Sequence, residues 1–164
     1  MLSNARIGID IGRVIMAPTA HDGRADTSFL RGSDEQAMQT PPSDGAMEVI
    51  QQLVRATNGN VWLVSKAGPR IAALTTRWLS HVGFFPKTGL PHGNVRFCRE
   101  RADKALHAQK LRLTHFIDDR ADVLAHLRDV VPHLFLFGHQ PERRGPSPYR
   151  RVLTWDDVHS ALLG

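Results

Sequence analysis

Arg6-Ile7-Gly8-Ile9-Asp10-Ile11-Gly12-Arg13-Val14-Ile15 is the stretch whose reading decides the fold. Residues 5–11 read as a short apolar strand that delivers one carboxylate, Asp10, to its C-terminal end, and the chain then turns at Gly12. An unbroken apolar run of this kind suits a strand covered on both faces, as in a parallel sheet. A lone Asp at the end of such a strand sits where parallel sheets place their ligands.

The rest of the chain repeats the pattern. Ser43-Asp44 caps a helix to about Thr57, with Ala46, Val49, Ile50, Leu53 and Val54 on one face, and Asn58-Gly59-Asn60 ends it. Val61-Trp62-Leu63-Val64 is a second buried strand, and Pro69 opens a helix to about His81. Residues 83–94 read as a Gly- and Pro-rich loop, Val95–Cys98 as a strand and 100–112 as a helix. His115-Phe116-Ile117 is a third buried strand ending at Asp118-Asp119, followed by a helix over 120–129. Leu134–Phe137 and Arg150–Leu153 read as strands and 155–163 as a closing helix. Residues 16–42 show little periodicity and read as loop, with room for a short hairpin or helix. Strands alternating with helices predict an α/β fold: a doubly wound, mostly parallel sheet with helices on both faces. The 164 residues are expected to form a single domain, 1–164.

Composition excludes several classes. Hydrophobic content of 41% and charged content of 23% fit a soluble globular chain. No apolar run reaches the roughly 20 residues of a membrane span. The N-terminus lacks a basic segment followed by an apolar stretch and a cleavage site. A single cysteine, Cys98, excludes an internal disulfide and reads as a buried inert thiol. A cytoplasmic location is therefore expected. The net charge of +5 favours anionic ligands, although the basic residues are scattered apart from Arg143-Arg144 and Arg150-Arg151.

The residues just past the strand ends are Asp10, then Ser65 and Lys66, then Asp118 and Asp119. Lys104 lies on the helix before the last pair. Converging carboxylates repel unless a cation lies between them. Hard oxygen ligands with open positions suit Mg²⁺, which keeps water and phosphate oxygens in its shell. A hydroxyl and an ammonium opposite the metal hold the remaining phosphoryl oxygens. One carboxylate can then attack phosphorus and form an aspartyl-phosphate.

In order and placement this set resembles the haloacid dehalogenase (HAD) superfamily of phosphohydrolases, over roughly residues 5–140. The first motif of that family, Asp-x-Asp-x-Thr/Val after an apolar strand, is matched by Asp10-Ile11-Gly12-Arg13-Val14. The strand ending in Ser or Thr is matched by Val61–Ser65, the Lys by Lys104, and the strand ending in paired acids by Phe116-Ile117-Asp118-Asp119. The resemblance implies a HAD-like Rossmannoid fold and a Mg²⁺ cofactor. It implies that Asp10 is nucleophile and metal ligand, that Asp118 and Asp119 are metal ligands, and that Ser65 and Lys104 hold the phosphoryl group. Lys66 matches no required position and is a secondary substrate-binding candidate.

Gly12 departs from the pattern. Family phosphatases carry Asp there as general acid and base, and the backbone carbonyl of that position is a metal ligand, which Gly12 still supplies. The missing proton carrier is worth roughly 10²–10⁴ in rate. Acyl and sugar-1-phosphates, with easy leaving groups, suffer least; His21 and Asp22 in the following loop are candidate substitutes. Neither family cap position has room for a full cap domain, so residues 16–42 form a loop or minimal cap.

The expected function is a Mg²⁺-dependent phosphohydrolase or phosphotransferase. Its partner is a phosphorylated substrate, a small molecule or a nucleic-acid end, with no membrane. The alternative is a HAD-fold binding or regulatory module with little or no turnover because of Gly12. A receiver-type phosphoacceptor carries its acidic pair on the first strand, and a dinucleotide-binding domain needs Gly-x-Gly-x-x-Gly after it; neither order is present.

Overall fold

Six strands build the centre of the molecule: β1 (Ile7–Ile9), β2 (Val61–Lys66), β3 (Val95–Cys98), β4 (His115–Asp118), β5 (His133–Phe137) and β6 (Arg150–Val152). The structure is a computed structural model describing residues 2–17, 28–141 and 147–164. The strand order is β3-β2-β1-β4-β5-β6, and every neighbouring pair is parallel. Ile9 pairs with Leu63 on one side and Ile117 on the other. That register sets the C-terminal ends of β1, β2 and β4 side by side. The chain order reverses between β1 and β4, the switch point at which doubly wound sheets bind ligands.

Alternation in the strands sends side chains to two cores. Ile7, Ile9, Leu63 and Ile117 pack with α3 (Ala46–Ala56), α4 (Pro69–His81) and α8 (Trp155–Leu162). Trp62, Val64 and Phe116 face the other way, toward α6 (Lys104–Lys110) and α7 (Ala121–Leu127). Gly8 lies on that second face. A Cβ there would sit 2.6 Å from both Leu113 Cδ1 and Phe116 Cδ2, so its missing side chain lets Phe116 pack across β1.

The sequence reading needs three refinements. The first strand is shorter than 5–11, because the chain turns directly after Asp10, with the amides of Ile15 and Met16 both donating to the Ile11 carbonyl. Within 83–94 lie a helix, α5 (Phe84–Thr88), and a 3-10 turn at His92–Asn94. Pro86 is tolerated in α5 because it falls in the first turn, where N–H groups lack helical partners. Within 16–42 the described part holds α1 (Ser28–Arg31) and α2 (Asp34–Met38). Ser33 and Gln36 cap α2 reciprocally, the signature Ser33-Asp34-Glu35-Gln36 encodes.

Two buried indoles anchor this region. Trp155 Nε1 donates to the Val14 carbonyl at 2.9 Å, and Trp78 Nε1 to the Thr40 carbonyl at 2.8 Å. The segment after β1 is thus tied to α8 and to α4. No helix among the described residues is long and apolar enough to cross a membrane. Cys98 is free and buried, its Sγ 3.7 Å from the Ser65 carbonyl, and burial pushes its thiol up.

Candidate active site

Asp10 follows β1 directly and its amide donates to the Ile117 carbonyl at 3.0 Å, so the sheet ladder carries on into the site. Asp118 is the last residue of β4 and is fully buried. Between the two lies the ammonium of Lys104, the first residue of α6 and itself only 2% exposed. Lys104 Nζ donates to Asp10 Oδ1 at 3.0 Å and to Asp118 Oδ2 at 2.8 Å. The other Asp118 oxygen, Oδ1, accepts the Arg120 amide at 3.0 Å. Asp119 follows, half-buried. Oxygens of Asp10, Asp118 and Asp119 all lie within 4.8 Å of one another.

The charges do not balance. One ammonium faces three carboxylates, leaving two negative charges in a largely dry site. Burial, then the Asp10 charge, pushes Asp118 from 3.8 up to about 7. Burial, then the charges of Asp10 and Asp118, pushes Asp119 up to about 8. Burial alone would lower Lys104, but Asp10 and Asp118 outweigh it and hold the ammonium charged well above its ordinary range. A divalent cation among the three carboxylates would supply the missing charge, and oxygen-only donors of this kind fit a hard ion.

Replacing Lys104 removes the only cation that, among the described residues, forms an ion pair with these acids. Lys104→Met is expected to lower folding stability by about 3–5 kcal/mol at pH 8 without added metal. The loss shrinks at pH 5, where Asp118 and Asp119 take up protons. Urea unfolding at the two pH values measures both effects.

The site opens into a cavity of about 500 Å³. Asp10, Gly12, Ser65, Lys66, Lys104 and Asp119 line it, so the structure gathers the residues singled out in the sequence on one cavity. Asp118 lies behind that lining, reaching the site through Lys104. Ser65 is buried near the end of β2, and Lys66 is exposed at the rim.

Gly12 is not required by the backbone. The left-handed residue of the turn is Arg13, at φ 61°, and a Cβ built on Gly12 meets no atom of the described residues within 4 Å. His21, Asp22, Arg143 and Arg144 lie outside the described residues.

Several contributors escape the sequence reading. Gln140 Nε2 donates to the Asp119 carbonyl at 2.7 Å and to the Phe137 carbonyl at 3.1 Å, clamping the acidic loop to the end of β5. Arg13, Arg101 and Arg120 add positive charge to the cavity wall, and Phe29 and Leu30 of α1 add apolar surface. The run Asp118-Asp119-Arg120 hints at Arg120; nothing local marks the others.

No family model and no curated protein matches this chain. Solved structures do. A D,D-heptose 1,7-bisphosphate phosphatase from B. bronchiseptica, complexed with magnesium and phosphate, superposes with a TM-score of 0.65 at 13% identity, over 96% of this chain and 97% of the other. A HAD family hydrolase from Deinococcus radiodurans R1, with bound phosphate and sodium, gives 0.58 at 13% identity, over 98% and 96%. The chain has a HAD-like fold. The α/β architecture expected from the sequence is therefore the observed one, with a sheet that is wholly parallel among the described residues.

Proposed function

We propose that this protein is a magnesium-dependent phosphohydrolase or phosphotransferase that works through an aspartyl-phosphate on Asp10. The observation that carries the reading is the buried Lys104 ammonium held between Asp10 and Asp118, with Asp119 beside them, on an open cavity at the switch point of a HAD-like sheet. Two structures of the same fold hold phosphate, one of them together with magnesium.

In this reading Asp10, Asp118, Asp119 and the Gly12 carbonyl hold Mg²⁺. When bound, the ion neutralises the carboxylates and draws charge from the phosphoryl oxygens. Ser65 and Lys104 hold the remaining phosphoryl oxygens, and Lys66 attracts the anion at the rim. A carboxylate oxygen of Asp10 attacks phosphorus and the ester P–O bond breaks, its electron pair leaving on the alcohol oxygen, which takes a proton from solvent. Water then attacks phosphorus of the acyl phosphate, releasing inorganic phosphate and returning Asp10 as carboxylate. Lys104 holds Asp10 in orientation through its contact with Oδ1.

Gly12 favours a second reading, a binding or regulatory module with little turnover. A panel of phosphate esters with Mg²⁺ separates the two, provided it includes nucleotides and end-phosphorylated oligonucleotides. Turnover supports the enzyme. No turnover on any ester, together with no Mg²⁺ binding, supports the module.

The metal-free protein carries a pH signature. Asp118 and Asp119 lose their protons near pH 4 when unfolded but hold them to about 7 and about 8 when folded. The folded state binds more protons in that window, so stability falls as pH rises from about 4 to about 8. Mg²⁺ reverses the penalty, and its stabilising effect is expected to be larger at pH 8 than at pH 5. Thermal melts in EDTA and in excess Mg²⁺ at both pH values check this. A melt indifferent to pH in EDTA contradicts it.

A further inference from the structure

Asp119 is held through its main chain. With Arg120 it links the end of β4 at Asp118 to the start of α7 at Ala121. The β4–β5 ladder runs as far as the pairing of Asp118 with Leu136, and continuing that register by one step sets Asp119 opposite Phe137. Beyond the link, the first helical bond runs from the Leu124 amide to the Arg120 carbonyl. The Asp119 carbonyl falls between these two hydrogen-bond systems, and Gln140 takes it up, its Nε2 donating at 2.7 Å. The same nitrogen donates to the Phe137 carbonyl at 3.1 Å, so one carboxamide stands where the next rung of the ladder would be.

The chemistry of the clamp is set by its partners. Both groups facing Gln140 are carbonyl oxygens, which only accept, so the NH₂ end faces them and its two hydrogens serve two acceptors. A side chain without donors cannot make this bridge. The turn that presents Gln140 is itself fastened to the sheet. Gly138, at φ 83°, donates its amide to the Val152 carbonyl at 2.9 Å, and Arg151 Nη2 donates to the Gly138 carbonyl at 3.1 Å. Gln140 therefore ties Asp119 to the ends of β5 and β6. Asp118 is held differently, at its carboxylate, with Oδ2 on Lys104 and Oδ1 on the Arg120 amide.

We infer that Gln140 is a positioning residue for the cation site: by holding the Asp119 carbonyl it sets the Asp119 carboxylate among the oxygens of Asp10 and Asp118. This rests on the reading of those three acids as metal ligands. Gln140 itself does not line the cavity, so its influence on a bound ion passes through Asp119. Groups that orient a metal ligand without touching the ion are worth roughly 10–100-fold in affinity.

Calorimetric titration of the metal-free protein with Mg²⁺ tests this without turnover. Gln140→Met keeps the length and removes the donors, and its dissociation constant for Mg²⁺ is expected to rise about tenfold or more. Gln140→Asn keeps the donors but is one carbon short of spanning both carbonyls; it should show a smaller rise, and it carries the test if the Met variant gives no cooperative melt in EDTA. Gln52→Ala, at a glutamine on α3 that meets His159 at 3.1 Å, should leave the constant unchanged. Adding Gln140→Met to Asp119→Asn should weaken binding no further, because the effect passes through Asp119. A clamp that serves only folding would lower the melt in EDTA and leave the affinity alone. Wild-type affinity in the folded Gln140 variant, or losses that add in the double variant, overturns this inference and leaves the metal site in place. Wild-type protein that takes up no Mg²⁺ overturns the inference together with the metal reading beneath it.

Discussion

Asp10→Asn abolishes ester turnover, by on the order of 10⁴-fold or more, while raising the melting temperature of the metal-free protein. The first effect follows from the loss of the attacking oxygen's charge, since a carboxamide is a poor nucleophile toward phosphorus. The second follows from the charge count. Three carboxylates share one ammonium in a buried cluster, and each added negative charge pushes its neighbours' protons on more tightly. Removing one relieves repulsion, and Lys104 keeps its 2.8 Å contact with Asp118 Oδ2. A variant that melts higher yet does nothing separates chemistry from folding, the trade-off expected where a site is built for function rather than stability. Kinetics with Mg²⁺ and melts in EDTA measure the two halves. A variant that retains turnover removes Asp10 from the chemistry.

Gly12→Asp is expected to raise kcat on alkyl and benzyl phosphates by roughly 10²–10⁴. The structure has room for it. A Cβ at position 12 meets nothing among the described residues within 4 Å, and the position lines the cavity with Asp10. The left-handed strain of the turn falls on Arg13, so position 12 accepts a side chain without it. A carboxyl there can protonate the departing alkoxide and then deprotonate water. Phenyl phosphate, which leaves without a proton, should gain far less. Gly12→Asn controls for shape: it fills the same space but cannot transfer the proton and should leave alkyl turnover low. Equal gains from Asp and Asn would mean that the new side chain acts by packing.

The candidate site is legible in the sequence because its acidic and hydroxyl members sit where apolar runs end. Asp10, Ser65 and the Asp118-Asp119 pair mark the C-terminal ends of three runs, and parallel pairing sets those ends together. Lys104 is legible only by its order before the pair, since a single lysine on a helix carries no local sign of burial. Gly12 invites a misreading as a turn residue, because the chain does turn there; the backbone angle that matters belongs to Arg13. Phe29, Leu30 and Gln140 are illegible for a different reason. Each meets residues far along the chain, Gln140 by bridging Asp119 to Phe137 and the α1 pair by lining a cavity shared with other elements. No local periodicity encodes such contacts. The helix α5 hides behind Pro86 for the same reason in miniature, since proline reads as a breaker until its place in the first turn is known.

The central claim is that Asp10 becomes covalently phosphorylated. Protein incubated with Mg²⁺ and acetyl phosphate or phenyl phosphate, quenched in acid and mapped by peptide mass spectrometry, tests it directly. The predicted result is a hydroxylamine-labile phosphoryl group on the peptide containing Asp10, absent from Asp10→Asn and absent without Mg²⁺. Label on another residue, or product formed with no label on the Asp10 peptide at any time point, contradicts it.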